Sequence, residues 1–390
     1  MTAAGRAVVS GMICAQPNQG GATWAVMQFV LGLRRLGWTV HFVETIDRTA
    51  VMPAGAPLDV SDNAAYLAAT MSAFGLEGSW SLLTRGGGEA AGVSRAELKK
   101  TFSEADLLLN ISGRLKEPDL LAGPETRVYV DLDPGFTQLW HETQGIDVGL
   151  DGHDCFVTVG QNIGLPGCPI PTCGRLWTGI APPVVLAHWP EQGASPRPEM
   201  TTVGHWRGYG SIRHGGVHYG QRAHSMRRLM TLPRLTDQAF RLALAIHSDE
   251  SDDIEALDTN GWLRVNPRSV AYDMWSYRRF VRDSRAELSV PKSGYVASRS
   301  AWFSDRSACY LASGRPVVAM STGFESHLPA GKGLLAFGDV FEAAECIAAV
   351  NADYSGHSAA ARAVAMEYLD SDRVLSRMLE SIGSMAAPAC

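Results

Sequence analysis

Lys292 stands directly after the short apolar run 287–290, where the end of a buried strand would hand a cation to an anionic ligand. An ordinary solvated lysine is the other reading. A little further on, Trp302-Phe303-Ser304-Asp305-Arg306 opens the helical stretch 304–312. Ser304 suits the cap of that helix, whose first amides and dipole attract anions. Trp302 and Phe303 could wall a flat ring, and Asp305 could accept from a pair of hydroxyls. An aspartate in a first helical turn also stabilises the helix unaided. Arg299 and Arg306 add charge to the same segment. The loop 206–216, WRGYGSIRHGG, carries Arg207 and Arg213 among glycines that permit close backbone approach to a ligand. It reads equally as a flexible surface loop.

A second set of groups is acidic or amide-bearing. Asp131-Leu132-Asp133-Pro134 ends the strand-like run 127–131, and alternation places Asp131 and Asp133 on one side of an extended chain. Asp133 is the first candidate for a base that takes a hydroxyl proton, with an Asp-Pro turn as the plain alternative. His141 and His153 are further base candidates, although a lone histidine is more often structural. Gln161 and Asn162 close the run 155–159 and could bond hydroxyls of a ligand. Gly20-Gly21 follows the first strand and opens a helix, either to let a ligand approach or to make a tight turn. The spacing of Gly11, Gly20 and Gly21 is not the dinucleotide fingerprint G-x-G-x-x-G, which argues against a dehydrogenase. Cys168 and Cys173 lack paired histidines nearby, so no metal site is expected.

Such groups need a scaffold that gathers strand ends. Apolar strand-length runs at 7–13 and 39–44 flank the helical pattern 23–35, a βαβ unit that implies a parallel sheet. Strands follow at 105–110, 127–131 and 155–159, with helices near 63–74 and 94–102. The alternation pauses at 190–198, a stretch with three prolines that reads as a linker. It resumes with strands at 201–204, 241–246, 262–265, 287–290 and 316–319 and helices at 221–230, 252–258, 272–282, 304–312 and 341–350. Two helical stretches within 357–382 end the chain. The reading is therefore α/β, with two Rossmann-like doubly wound domains, 1–190 and 199–356, facing across a cleft, and terminal helices at 357–390.

Bulk properties narrow the class. The chain has 390 residues, of which 46% are hydrophobic and 19% charged, with a formal net charge of −6. That balance fits two buried cores and excludes disorder, and the acidic total argues against a broad nucleic-acid surface. No apolar run approaches a membrane span, no export signal is visible at the start, and the seven scattered cysteines do not form a disulfide framework. A cytoplasmic location is expected.

The piece Leu311-Ala312-x-Gly314-x-Pro316-Val317-Val318 resembles the carboxyl-terminal signature of glycosyltransferases with the glycosyltransferase-B fold. Gly331-Lys332-Gly333-Leu334-Leu335-Ala336-Phe337 and Gly20-Gly21 stand in the family's order, and the terminal helices are similar to its return crossover. The resemblance covers nearly the whole chain in order of elements and about fifty residues in close pattern. It implies transfer of a sugar from a nucleotide-diphosphate donor to a small-molecule acceptor. The donor would lie on the second domain, contacted by Lys292, Trp302, Phe303, Ser304, Asp305 and Arg306, by Arg207 and Arg213 in the phosphate-loop position, and by Gly20 and Gly21. It also places Glu325 in Thr322-Gly323-Phe324-Glu325 near the sugar, and sets Asp131, Gln161 and Asn162 on the acceptor side. No cofactor beyond the donor co-substrate is implied. Many retaining members carry two glutamates eight positions apart, which align here with Ala301 and Cys309, so Asp305 is the acidic substitute. A nucleotide-sugar epimerase and a non-enzymatic two-domain ligand-binding protein are the rival readings.

Overall fold

The protein, seen in a computed structural model, is described for residues 4–86, 88–191, 193 and 197–386. Part of the expected linker at 190–198 lies outside these residues. The first half is an eight-stranded sheet built from β1 (Gly5–Ser10), β2 (Trp38–Ile46), β3 (Trp80–Thr84), β4 (Ala90–Gly92), β5 (Leu107–Ile111), β6 (Thr126–Asp131), β7 (Cys155–Thr158) and β8 (Trp177–Gly179). Its order is 4-3-2-1-5-6-7-8, and only β4 runs antiparallel. After β9 (Met200–His205), the segments β10 (Ile212–His214) and β11 (Val217–Tyr219) form a separate hairpin. The second sheet joins β9 to β12 (Phe240–Ala245), β13 (Leu263–Arg264), β14 (Ala286–Ser289), β15 (Val317–Met320) and β16 (Leu334–Phe337), all parallel in the order 13-12-9-14-15-16. In chain order within that half this is 3-2-1-4-5-6, the doubly wound arrangement.

Every residue of β5, β7, β14 and β15 is buried, as parallel strands covered by helices on both faces require. In each sheet the winding reverses once, between β1 and β5 and between β9 and β14. At such a reversal the loops from neighbouring strand ends part and leave a crevice.

The halves are joined by packed surfaces. Helix Gly20–Arg35 lies against helix Met274–Asp283, and the indole Nε1 of Trp24 donates to the Met274 carbonyl at 2.7 Å. One hydrophobic cluster runs through both halves and contains Trp24, Trp189, Tyr277, Tyr310 and Leu375. The last helix, Ser371–Ala386, returns to the first half: Arg35 pairs with Asp372 at 2.6 Å, and across the same seam the Val184 amide donates to the Leu369 carbonyl and the Ser371 amide to the Val184 carbonyl.

Three sequence expectations change. The loop 206–216 is largely exposed, but its second part is regular: it forms β10 and the turn of the β10–β11 hairpin at Gly215 and Gly216, with φ of 55° and 77°. Strands β3, β4 and β8 and helix Phe136–Gln144 add to the expected elements. Gly20 has a packing duty. A Cβ there would overlap the Asp273 carbonyl, so glycine lets the two halves meet at this point. Gly20→Ala should cost about 1–3 kcal/mol by overpacking this junction. Urea unfolding of the full chain checks this; an unchanged midpoint would contradict it.

Candidate functional site

Between the halves lies a cavity of about 1990 Å³. Its walls are the carboxyl ends of strands from both sheets, and it contains both points of winding reversal. Eight arginines and lysines line it against five aspartates, although the whole chain carries a net charge of −6. The crevice lining thus carries more cations than acids in an acidic protein, which suits an anion.

At the reversal of the second sheet stand Arg222 and Lys292. Arg222 begins helix Arg222–Arg227 and is only 8% exposed. Its Nε donates to the Val290 carbonyl at 2.7 Å and Nη1 to the His205 carbonyl at 2.9 Å, the carbonyls of residues following β14 and ending β9. No described carboxylate bonds to it: Glu287 is bonded to Arg306 at 2.5 Å instead. Burial, then the like charge of Arg306, lowers the Arg222 pKa to about 9, so the guanidinium stays charged at neutral pH. A buried cation left with dipoles alone attracts any anion entering the cavity.

Lys292 reaches across to the first half. Its Nζ donates to Asp133 Oδ1 at 2.9 Å and bonds the hydroxyl of Tyr209, with the Tyr295 hydroxyl at 3.4 Å. Tyr209 donates to the same carboxylate oxygen at 2.7 Å, as does Tyr295. Aromatic faces enclose the group, with Nζ 3.8 Å from the Tyr209 ring centre and 5.3 Å from that of Phe136. Trp302 stacks on Tyr295 at 4.2 Å and 15°. Burial raises the Asp133 pKa, but the Lys292 charge and the two hydroxyls outweigh it and hold the carboxyl below its usual range. Burial lowers the Lys292 pKa, partly offset by Asp133.

The opposite wall is residues 16–22 at the start of helix Gly20–Arg35. Glu44, fully buried on β2, fixes the preceding turn by accepting from the amides of Ile13, Cys14 and Ala15 at 2.7–2.8 Å. Burial nevertheless raises the Glu44 pKa.

Of the groups singled out from sequence, Gly20, Gly21, Asp133, Lys292, Trp302, Ser304, Asp305 and Arg306 line this cavity. Ser304 caps its helix by accepting from the Arg306 amide at 3.2 Å. Arg306 is engaged internally, with Glu287 and with the Val203 carbonyl at 3.1 Å. Asp305 faces the cavity, and burial raises its pKa against the opposing Arg306 charge.

The others lie elsewhere. Phe303 is core, packed on Phe324. Asp131 does not share a side with Asp133: the strand ends at 131, and Asp131 turns inward to accept from Thr137, Gln138 and Thr158 at 2.8–3.0 Å. Arg207 pairs with Glu250, Arg213 is exposed on β10, and Glu325 takes the Ser321 hydroxyl near the surface. Asn162 bridges the halves, giving Nδ2 to the Arg299 carbonyl at 2.9 Å and meeting His327 at 2.8 Å through Oδ1. Gln161 packs beneath Gly179, His153 is held by Asn110, and none of these lines the cavity, nor does His141. The two positions of the family glutamates are closed as well. Ala301 is fully buried, and Cys309 turns to Gln28 of the first half. Among the described residues no group of three metal-ligating side chains occurs, and no helix is long and apolar enough to cross a membrane.

No family model matches the chain, and no curated protein sequence matches it. Its fold is nonetheless that of known structures. AviGT4, a glycosyltransferase involved in avilamycin A biosynthesis, superposes with a TM-score of 0.53 at 14% identity over 99% of both chains. HepE of Anabaena in complex with UDP-glucose gives 0.57 at 13% identity, covering 97% of this chain and 100% of that one. An alpha-glucosyltransferase in complex with UDP and a DNA 13-mer gives 0.58 at 11%, covering 97% and 99%. Over its whole length the chain has the glycosyltransferase-B fold.

The Asp133–Lys292 pair has a testable pH signature. The folded Asp133 pKa is depressed, so the stabilisation is fully present above the unfolded value near 3.8 and is lost as pH falls through the lower folded value. Asp133→Asn should cost on the order of 1 kcal/mol at neutral pH, after allowance for partial exposure, and progressively less below that window. Paired unfolding curves across pH measure the difference; a gap that widens on acidification would contradict it.

Proposed function

We propose that the protein is a glycosyltransferase that moves a sugar from a nucleotide-diphosphate donor to a hydroxyl, or amine, of a small-molecule acceptor. The observation that carries the proposal is the cation pair Arg222 and Lys292 at the winding reversal of the second sheet, inside a cavity whose lining is positive. Support comes from the glycosyltransferase-B fold and from neighbours solved with UDP or UDP-glucose. The second half, 199–356, would hold the donor, the first, 1–190, the acceptor, and 357–390 would brace the first.

Arg222 and Lys292 would neutralise the leaving diphosphate, whose charge grows as the anomeric bond breaks. The diphosphate would take Lys292 from Asp133. Losing that ammonium removes the largest influence that lowers the Asp133 pKa, so its carboxylate would become more basic beside the acceptor hydroxyl. Donor arrival would thus prepare the base. Asp305, on the cavity wall, is the acceptor for ribose hydroxyls. His141, Arg207, Arg213, Phe303 and Glu325 have no part in this reading because they lie off the cavity. The donor is a co-substrate and no resident cofactor is proposed. A cytoplasmic setting is part of the same proposal.

Calorimetric titration with UDP and GDP tests the donor site. One of them should bind the full chain, and Lys292→Ala should weaken it by about 2 kcal/mol, roughly thirtyfold. Equal affinity in the variant would remove the site. Mass spectrometry of donor with candidate acceptors then separates transfer from epimerisation, and a response to free sugars alone would favour a binding protein.

A further inference from the structure

The loop after β5 forms the other half of the first sheet's winding reversal, and no sequence pattern singled it out. Ser112 and Gly113 both adopt left-handed backbone, with φ of 55° and 58°, and the chain then delivers Arg114 and Lys116 to the cavity wall. Left-handed geometry at a non-glycine residue such as Ser112 persists only where its surroundings impose it. They do so here. Buried Asn110 clamps the loop, accepting from the Leu115 amide at 3.0 Å and donating to the Leu115 carbonyl at 2.9 Å. The Ser112 amide bonds the Val130 carbonyl at 2.8 Å, and Thr45 donates to the Arg114 carbonyl at 3.1 Å. Gly113 has no room for a Cβ beneath Val148.

This rigid loop presents Arg114 without a partner. Among the described residues, the cavity-lining Arg85, Arg222, Arg264 and Arg306 all bond carboxylates or carbonyls, and Arg268 is exposed. The Arg114 guanidinium bonds none, and its Nε is buried without an acceptor. Lys116 beside it holds Asp147 at 2.8 Å, a pair whose aspartate is 78% exposed and so readily exchanged. Arg85, paired with Asp47, lies on the same wall, while Asp62 and Asp147 are its acids.

We propose that Arg114, supported by Lys116, binds an anionic group on the acceptor, so that the acceptor is a small molecule carrying a phosphate or a carboxylate. The inference rests on the transferase reading for the word acceptor, but the anion site itself does not. A planar guanidinium with all its donors free matches either oxyanion bidentately.

Thermal-shift titration with inorganic phosphate and with acetate, at matched ionic strength, tests it in the Lys292→Ala background, where binding at the donor site is weakened. One of the two anions should stabilise this protein saturably, and adding Arg114→Gln should weaken that response by about tenfold or more. Phosphate or acetate acting alone identifies the group. An anion response that survives Arg114→Gln, or none from either anion, overturns the inference. Failure of UDP to bind the wild type would instead sink the donor reading and leave this result standing.

Discussion

A guanidinium can be buried only if something answers its charge, and at Arg222 the protein answers with two backbone carbonyls and no described carboxylate. Both carbonyls belong to strand ends at the reversal of the second sheet, so the winding of that sheet sets the cation in place. Glu287, the nearest buried acid, is bonded to Arg306. The fold thereby keeps positive potential focused in a low-dielectric crevice of an otherwise acidic chain. The proposed binding of a diphosphate, its retention as a leaving group and the proposed choice of an anionic acceptor would all rest on that distribution.

Lys292 gives the same crevice a moving part. In the proposed reaction its ammonium passes from Asp133, of the first half, to the anion over Arg222. Tyr209 and Tyr295 bond both the lysine and the aspartate, so they hold the pair without fixing either partner to one state. The surrounding rings of Phe136, Tyr209 and Tyr295 come from both halves and restrict water there. The proposed chemistry and the contact between the halves are in this way connected through one ion pair.

Much of the framework was legible in the residues because parallel buried strands are continuous apolar runs, and 287–290 and 316–319 are plain examples. Lys292 could be found for the same reason, as the first cation past such a run. Arg222 could not, since a basic residue opening a short helix looks like a solvated one until the strand ends around it are known. Ser112 and Arg114 escaped because left-handed backbone at a serine leaves no compositional mark. Asp131 was misread because alternation along a strand stops where the strand stops, one step before Leu132. The Gly20-Gly21 pair was visible, but its reason, the approach of Asp273, lies about 250 residues away.

The structure of the full chain bound to UDP is the most direct measurement of the central claim. The account requires the diphosphate to lie between Arg222 and Lys292, with the Lys292 ammonium drawn off Asp133. Diphosphate bound elsewhere, or bound with the Asp133–Lys292 pair still intact, would contradict it.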